Sequence, residues 1–171
     1  SGKRFWGYSD LTTVINAVYA KTGKPSVLYQ IKHLALRETE ERRRDFAGTL
    51  LHNRDDLYSF TCNLLQKEIP QGVVVGGNIR CLLKLAGTPY WPDMGGKILL
   101  LESLSGGVPQ MVAYFNQLKQ IGVFEEIAGL LLGTFTEMEE QACRPSVTEL
   151  ARQYAGEKLP ILKTGVIGHS I

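Results

Sequence analysis

Apolar residues in this chain gather in short unbroken runs, and stretches of helical spacing lie between them. The runs Val73-Val74-Val75, Ile98-Leu99-Leu100-Leu101 and Ile127 to Leu132 read as strands buried on both faces. Shorter strand candidates are Phe5 to Tyr8, Val27 to Tyr29, Pro160 to Leu162 and Val166-Ile167. Leu11, Val14, Ile15, Val18 and Tyr19 recur at i, i+3, i+4, i+7 and i+8, which predicts a helix over Asp10 to Thr22 with that stripe turned inward. Gly23 and Pro25 close it. Met111, Val112, Phe115 and Leu118 predict a second helix over Pro109 to Gln120, closed by Gly122. Further helices are expected over Ile79 to Ala86, ended by Gly87, and over Ser146 to Tyr154. Glu38 to Leu51 reads as an exposed helix whose charge run is simply solvated. Asp55 to Leu65 fits a helix or a strand. Gly76-Gly77 reads as a turn, with Asn78 as a cap for the helix that follows.

Strands that alternate with helices, and that are apolar throughout, predict an α/β fold: a layered mixed sheet with flanking helices. A length of 171 residues suits one domain or one and a half. No internal repeat or low-complexity linker interrupts it.

Bulk chemistry narrows the partners. A hydrophobic fraction of 44% with 21% charged residues is ordinary for a globular chain. A net charge of +2 gives no electrostatic reason to bind nucleic acid. No apolar run is long enough to cross a bilayer, and no signal-peptide pattern opens the residues as given, so no membrane partner is expected. Cys62, Cys81 and Cys143 are isolated, and His33, His52 and His169 form no metal-binding pair. Neither a metal nor another cofactor is expected.

Three polar residues sit where strands end: Ser9, Glu102 and His169. Sites in open α/β sheets gather at the carboxyl ends of strands. Gly7-Tyr8-Ser9-Asp10 joins a strand to a helix, so the Ser9 hydroxyl stands at a helix N-terminus, where a hydrolase would hold a nucleophile. On this tetrapeptide alone a simple helix cap is the commoner use of Ser or Asp. Glu102 directly follows four apolar residues, where an unpaired carboxylate is costly; a salt bridge or a strand end reaching water would also satisfy it. His169 follows Gly168 and by itself defines no site. Together the three have the roles of nucleophile, orienting acid and general base.

At these positions the sequence resembles the LD-carboxypeptidase family of serine peptidases, which includes muramoyl-tetrapeptide carboxypeptidases and microcin C self-immunity proteins. The matching stretches are Gly7 to Thr12, Val75 to Ile79, Gly87 to Tyr90, Lys97 to Glu102, Gln117-Leu118 with Gly122, Leu132 to Phe135, and Gly168-His169. The resemblance implies that Ser9 is the nucleophile, Glu102 the triad acid and His169 the base. It further implies that the backbone N–H of Asp10 is an oxyanion donor. The implied reaction is metal-free, cytoplasmic hydrolysis of the L,D bond to a terminal D-alanine in a murein tetrapeptide. The implied assembly is a homodimer.

The resemblance also implies an upstream domain of about one hundred residues, a usual domain size, with a second oxyanion donor on a glycine-rich turn. On this reading residues 1–24 are the nucleophile's strand, turn and helix, 25–70 a connecting segment, and 71–171 the domain that carries acid and base. The chain is then expected to be trimmed at both ends and inactive or nearly so. Residues 26–69 depart most from the family pattern. Gly77, Asn78, Tyr90 and Trp91 are the candidate substrate-binding residues, with core packing an equal use for the two aromatics.

Overall fold

The computed structural model describes residues 4–35, 40–52, 54–55 and 57–169. Contacts divide the chain into two compact units, Ser1–Leu28 with Cys62–Ile171, and Tyr29–Thr61.

The larger unit opens with β1 (Trp6–Gly7), a 3-10 turn (Ser9–Leu11), α1 (Thr12–Thr22) and β2 (Val27–Leu28). β1 and β2 pair in parallel. Gly23 ends α1 in the left-handed region, at φ 65°. After residue 61 come β3 (Asn63–Gln66), β4 (Val74–Asn78), α3 (Ile79–Leu83), β5 (Ile98–Ser103), α4 (Val108–Gln120), α5 (Val123–Glu126), β6 (Gly129–Phe135), α6 (Thr136–Glu140), α7 (Val147–Ala155) and β7 (Ile161–Lys163). The smaller unit holds a 3-10 segment (Ile31–Ala35) and the helix α2 (Glu40–His52); residues 38 and 39 of the expected helix lie outside the described residues.

Five strands form one mixed sheet in the order β3-β7-β6-β5-β4. β4, β5, β6 and β7 run parallel, and β3 closes one side antiparallel to β7. The unbroken apolar runs are explained by burial on both faces. Leu99 and Leu101 point into the main core with Met111, Phe115, Leu118, Leu132 and Leu150, while Ile98 and Leu100 point the other way, to Leu131 and Leu162. Each such side chain contributes about 1.5–3 kcal/mol on leaving water. α4 buries Met111, Phe115 and Leu118 at i, i+4 and i+7. At the start of α7, Ser146 and Glu149 form a reciprocal capping box.

The layered α/β expectation holds, and four local expectations need correction. Gly76-Gly77 lies inside β4, not in a turn, and Asn78 ends that strand. Val166-Ile167 is a bend, because Thr164 to His169 leaves the sheet after Lys163. Residues 84–86 leave α3 in tighter turns, with Leu85 and Ala86 bonding back three residues to Leu82 and Leu83. The largest correction concerns α1. Its Leu11 and Val14 are 44% and 39% exposed, whereas Thr12 and Asn16 are 0% and 4% exposed. Of the expected stripe Ile15 is buried and Tyr19 packs against the main core, but α1 also meets the edge of β4, whose backbone groups need hydrogen bonds beside apolar cover. α5 and α6 carry no apolar stripe long enough to be read from sequence.

Candidate active site

Ser9 stands on a sharp elbow. Tyr8 is extended, Ser9 turns into the left-handed region at φ 53°, and the Leu11 N–H bonds to the Tyr8 carbonyl at 3.0 Å. Gly7 makes room for this bend, since a β-carbon there would lie 2.7 Å from that of Leu11. A non-glycine residue in this conformation costs about 1–2 kcal/mol. The turn therefore holds the serine side chain in a place that local preference would not choose. Among the described residues the Ser9 side chain caps neither helix start, and its hydroxyl meets His169.

Glu102 lies in β5, opposite Asn78 of β4 in register, and is fully buried. His169 arrives on the segment after β7. That segment is fastened to β6 by Thr164 N–H to the Leu132 carbonyl at 2.8 Å and by Thr134 N–H to the Ile167 carbonyl at 2.7 Å. Gly133 and Gly168 permit the close approach. A β-carbon on Gly133 would strike the Ile167 carbonyl, and one on Gly168, at φ 143°, would strike the Thr134 hydroxyl.

The three side chains meet in line. His169 Nδ1 is 2.6 Å from Glu102 Oε2, and His169 Nε2 is 3.1 Å from Ser9 Oγ. With Glu102 ionised, Nδ1–H donates to the carboxylate and Nε2 is left to accept from the serine O–H. Burial pushes the Glu102 carboxyl above its ordinary range, while the His169 ring and the nearby Asn78 amide pull it back toward the charged form. Oε1 of Glu102 has no hydrogen-bond partner in normal geometry among the described residues. The Tyr8 ring lies against His169, centroids 5.0 Å apart. Burial and the Glu102 charge raise the Tyr8 phenol.

The remaining candidates fall in several places. Asp10 follows Ser9, and among the described residues its backbone N–H donates to no acceptor. Its exposed carboxylate accepts from the Cys81 thiol at 3.1 Å and pairs with Arg80 at 3.3 Å and Lys84 at 3.9 Å. The Cys81 bond, then Lys84, hold that carboxyl below its usual range. Gly77 faces α1: a β-carbon there would lie 2.7 Å from Thr12 Oγ1. Asn78 donates its N–H to Thr12 Oγ1 at 3.0 Å, and its side chain caps α3 through the Cys81 N–H at 3.3 Å. Trp91 packs against the main core. Tyr90 is half-exposed beneath the Lys21 ammonium. Neither aromatic bonds to Ser9, Glu102 or His169 among the described residues. Sequence reasoning passed over Thr12, Asn16 and Thr134. For the first two, the signal was there as polar residues at i and i+4 on one side of α1.

Residues 71–171 match the family model for the LD-carboxypeptidase C-terminal domain. The chain belongs to the LD-carboxypeptidase family. The matched segment carries Glu102 and His169, while Ser9 lies outside it, ahead of the intervening smaller unit. A curated relative is a probable murein peptide carboxypeptidase from Bacillus subtilis, 29% identical over 78% of this chain and 43% of its own length. The first curated relatives are matched over 43% to 57% of their lengths, so the chain spans about half of each. Among solved structures, a microcin C7 self-immunity protein in complex with aspartyl sulfamoyl adenosine superposes with TM-score 0.75 at 19% identity, over 98% of this chain and 60% of that one. A muramoyltetrapeptide carboxypeptidase from Oxalobacter formigenes gives TM-score 0.67 at 22% identity, over 98% and 59%. These likenesses establish a shared fold.

Proposed function

We propose that this is the Ser-Glu-His site of a serine LD-carboxypeptidase that releases terminal D-alanine from a cytoplasmic murein tetrapeptide. The observation that carries the reading is the unbroken relay from Ser9 Oγ through the His169 ring to Glu102, at 3.1 and 2.6 Å. Ser9 Oγ attacks the acyl carbon of the L,D bond as His169 Nε2 takes its proton. The new imidazolium is stabilised by the buried Glu102 carboxylate. The N–H of Asp10 faces the developing oxyanion. His169 then gives its proton to the departing D-alanine amine, leaving an acyl ester on Ser9. A water molecule, deprotonated by the same imidazole, hydrolyses that ester. The names of the Bacillus subtilis and Oxalobacter formigenes proteins support the murein substrate. The working form on this reading is a homodimer.

A second reading has the same relay cut a carboxamide that joins a peptide to a nucleotide-like group. It is favoured by the higher TM-score of the self-immunity protein that binds aspartyl sulfamoyl adenosine. The two separate when protein extended to the length of its relatives is offered murein tetrapeptide and a peptidyl-nucleotide side by side. Exclusive cleavage of the nucleotide conjugate would remove the murein reading. A binding module without catalysis would leave Ser9 unlabelled by a fluorophosphonate probe.

The 171-residue chain alone is expected to be inactive on peptide or nearly so. Among the described residues it presents one oxyanion donor beside Ser9, and the lack of a second typically costs about 10²–10³ in rate. Release of D-alanine by this chain, abolished by Ser9→Ala, would contradict that expectation.

A further inference from the structure

We propose that Asn16 is a positioning residue for the nucleophile: its side-chain amide acts as a one-residue strand that clamps α1 to the open edge of β4. The inference rests on the hydrolase reading above. Asn16 Oδ1 accepts the Gly76 N–H at 2.9 Å, and Asn16 Nδ2 donates to the Gly76 carbonyl at 2.9 Å. One residue of a sheet edge is thereby bonded at both of its backbone groups, as a neighbouring strand would do. The same Nδ2 also donates to the Thr12 carbonyl at 2.8 Å, which fixes the side-chain rotamer. Two further ties run parallel to it: Asn78 N–H to Thr12 Oγ1 at 3.0 Å, and Thr13 Oγ1 to the Cys81 carbonyl at 2.9 Å.

The two glycines of β4 fit this clamp. A β-carbon on Gly77 would meet Thr12 Oγ1 and Cγ2, and one on Gly76 would strike the Leu100 carbonyl. The helix thus rests on bare backbone. Asn16 is itself 4% exposed, so a partner lost here is not replaced by bulk water.

The consequence for the site follows from register. Gly76 and Asn78 pair with Leu100 and Glu102 across β4 and β5. Ser9 precedes Thr12 by less than one helical turn. The clamp therefore sets the hydroxyl of Ser9 against the acid-bearing strand, and His169 bridges the gap that it fixes. In a relay of this kind a displacement of about 1 Å can cost about 10²-fold in rate.

The test compares wild type, Asn16→Ala and the near-isosteric Thr12→Val in protein extended to the length of its relatives. It measures crystal geometry, melting temperature and the rate of fluorophosphonate labelling at Ser9. Ser146→Ala, which loosens the remote α7 cap, is the control for general loss of stability. Expected is a Ser9–His169 separation beyond hydrogen-bond range in Asn16→Ala and labelling slowed about 10- to 100-fold. Thr12→Val should fall in between, and Ser146→Ala should label at the wild-type rate. Should Asn16→Ala fail to fold, Thr12→Val, which removes the parallel Asn78 tie, still reads the attachment of α1 to β4. The proposal is overturned if the variants keep the serine–histidine contact and label normally, or if Ser146→Ala slows labelling as much as they do. A wild-type chain that takes up no probe would sink the hydrolase reading alone, because the serine–histidine separation in the variants still decides the clamp.

Discussion

His169 and Glu102 are separated by 67 residues in sequence and meet at 2.6 Å, with the carboxylate fully buried. Among the described residues the imidazole is the close partner of this acid, with the Asn78 amide nearby. A buried acid held this way is an asset to the relay and a burden on the fold.

Glu102→Gln separates those two effects. The amide still occupies the strand end but cannot stabilise an imidazolium, so Ser9 labelling should fall by about 10³–10⁴-fold. Because burial raises the Glu102 carboxyl, the folded chain keeps that proton to higher pH than the unfolded chain does. Stability then falls as pH rises through the interval between the two values and stays lower above it. Glu102→Gln cannot titrate. It should flatten this slope and melt above wild type at neutral pH, in scans from about pH 4 to pH 8.

Ser9→Ala and Ser9→Gly should both abolish labelling. They should differ in stability, because the backbone at residue 9 is left-handed. Glycine adopts that conformation without the steric cost that alanine bears, so Ser9→Gly should be more stable by about 1 kcal/mol in urea titrations.

Gly168→Ala should disable the site while leaving the sheet intact. Its β-carbon would collide with the Thr134 hydroxyl and come within 3.0 Å of the Thr134 N–H, which is backbone and cannot swing aside. The expected result is a loss of labelling of more than about tenfold, by analogy with small misplacements in other sites. An unchanged labelling rate would show that His169 does not depend on this approach.

Ser146→Ala should cost about 1 kcal/mol of stability through the lost cap. Its pH signature is opposite to that of Glu102. Hydrogen bonds from Ser146 hold the Glu149 carboxyl below its ordinary range, so this contribution is present above that range and fades as pH falls through the lower folded value. The gap between wild type and variant should therefore narrow in acid, which thermal melts at stepped pH would register.

The sheet was legible in the sequence because Ile98 to Leu101 and Leu130 to Leu132 are buried on both faces, which leaves runs no helix stripe would produce. Glu102 was legible for the same reason: a carboxylate ending such a run has to be answered by something. What misled was α1. Helical spacing correctly located the helix but took Leu11 and Val14 for its inner face, since periodicity assumes an apolar neighbour. The neighbour is a strand edge, and it selects Thr12 and Asn16. Gly76-Gly77 misled likewise, because a glycine pair demanded by close backbone approach looks the same as one demanded by a turn. The meeting of Ser9, Glu102 and His169 required the third dimension; chain order alone does not bring residues from the two termini together.

A helix attached through directional polar bonds responds to solvent differently from one sealed by hydrocarbon. Urea competes for amide donors and acceptors well below concentrations that melt a leucine-rich interior. α1 should consequently let go of its strand first, and Ser9 should part from His169 while the circular dichroism is still that of the folded chain.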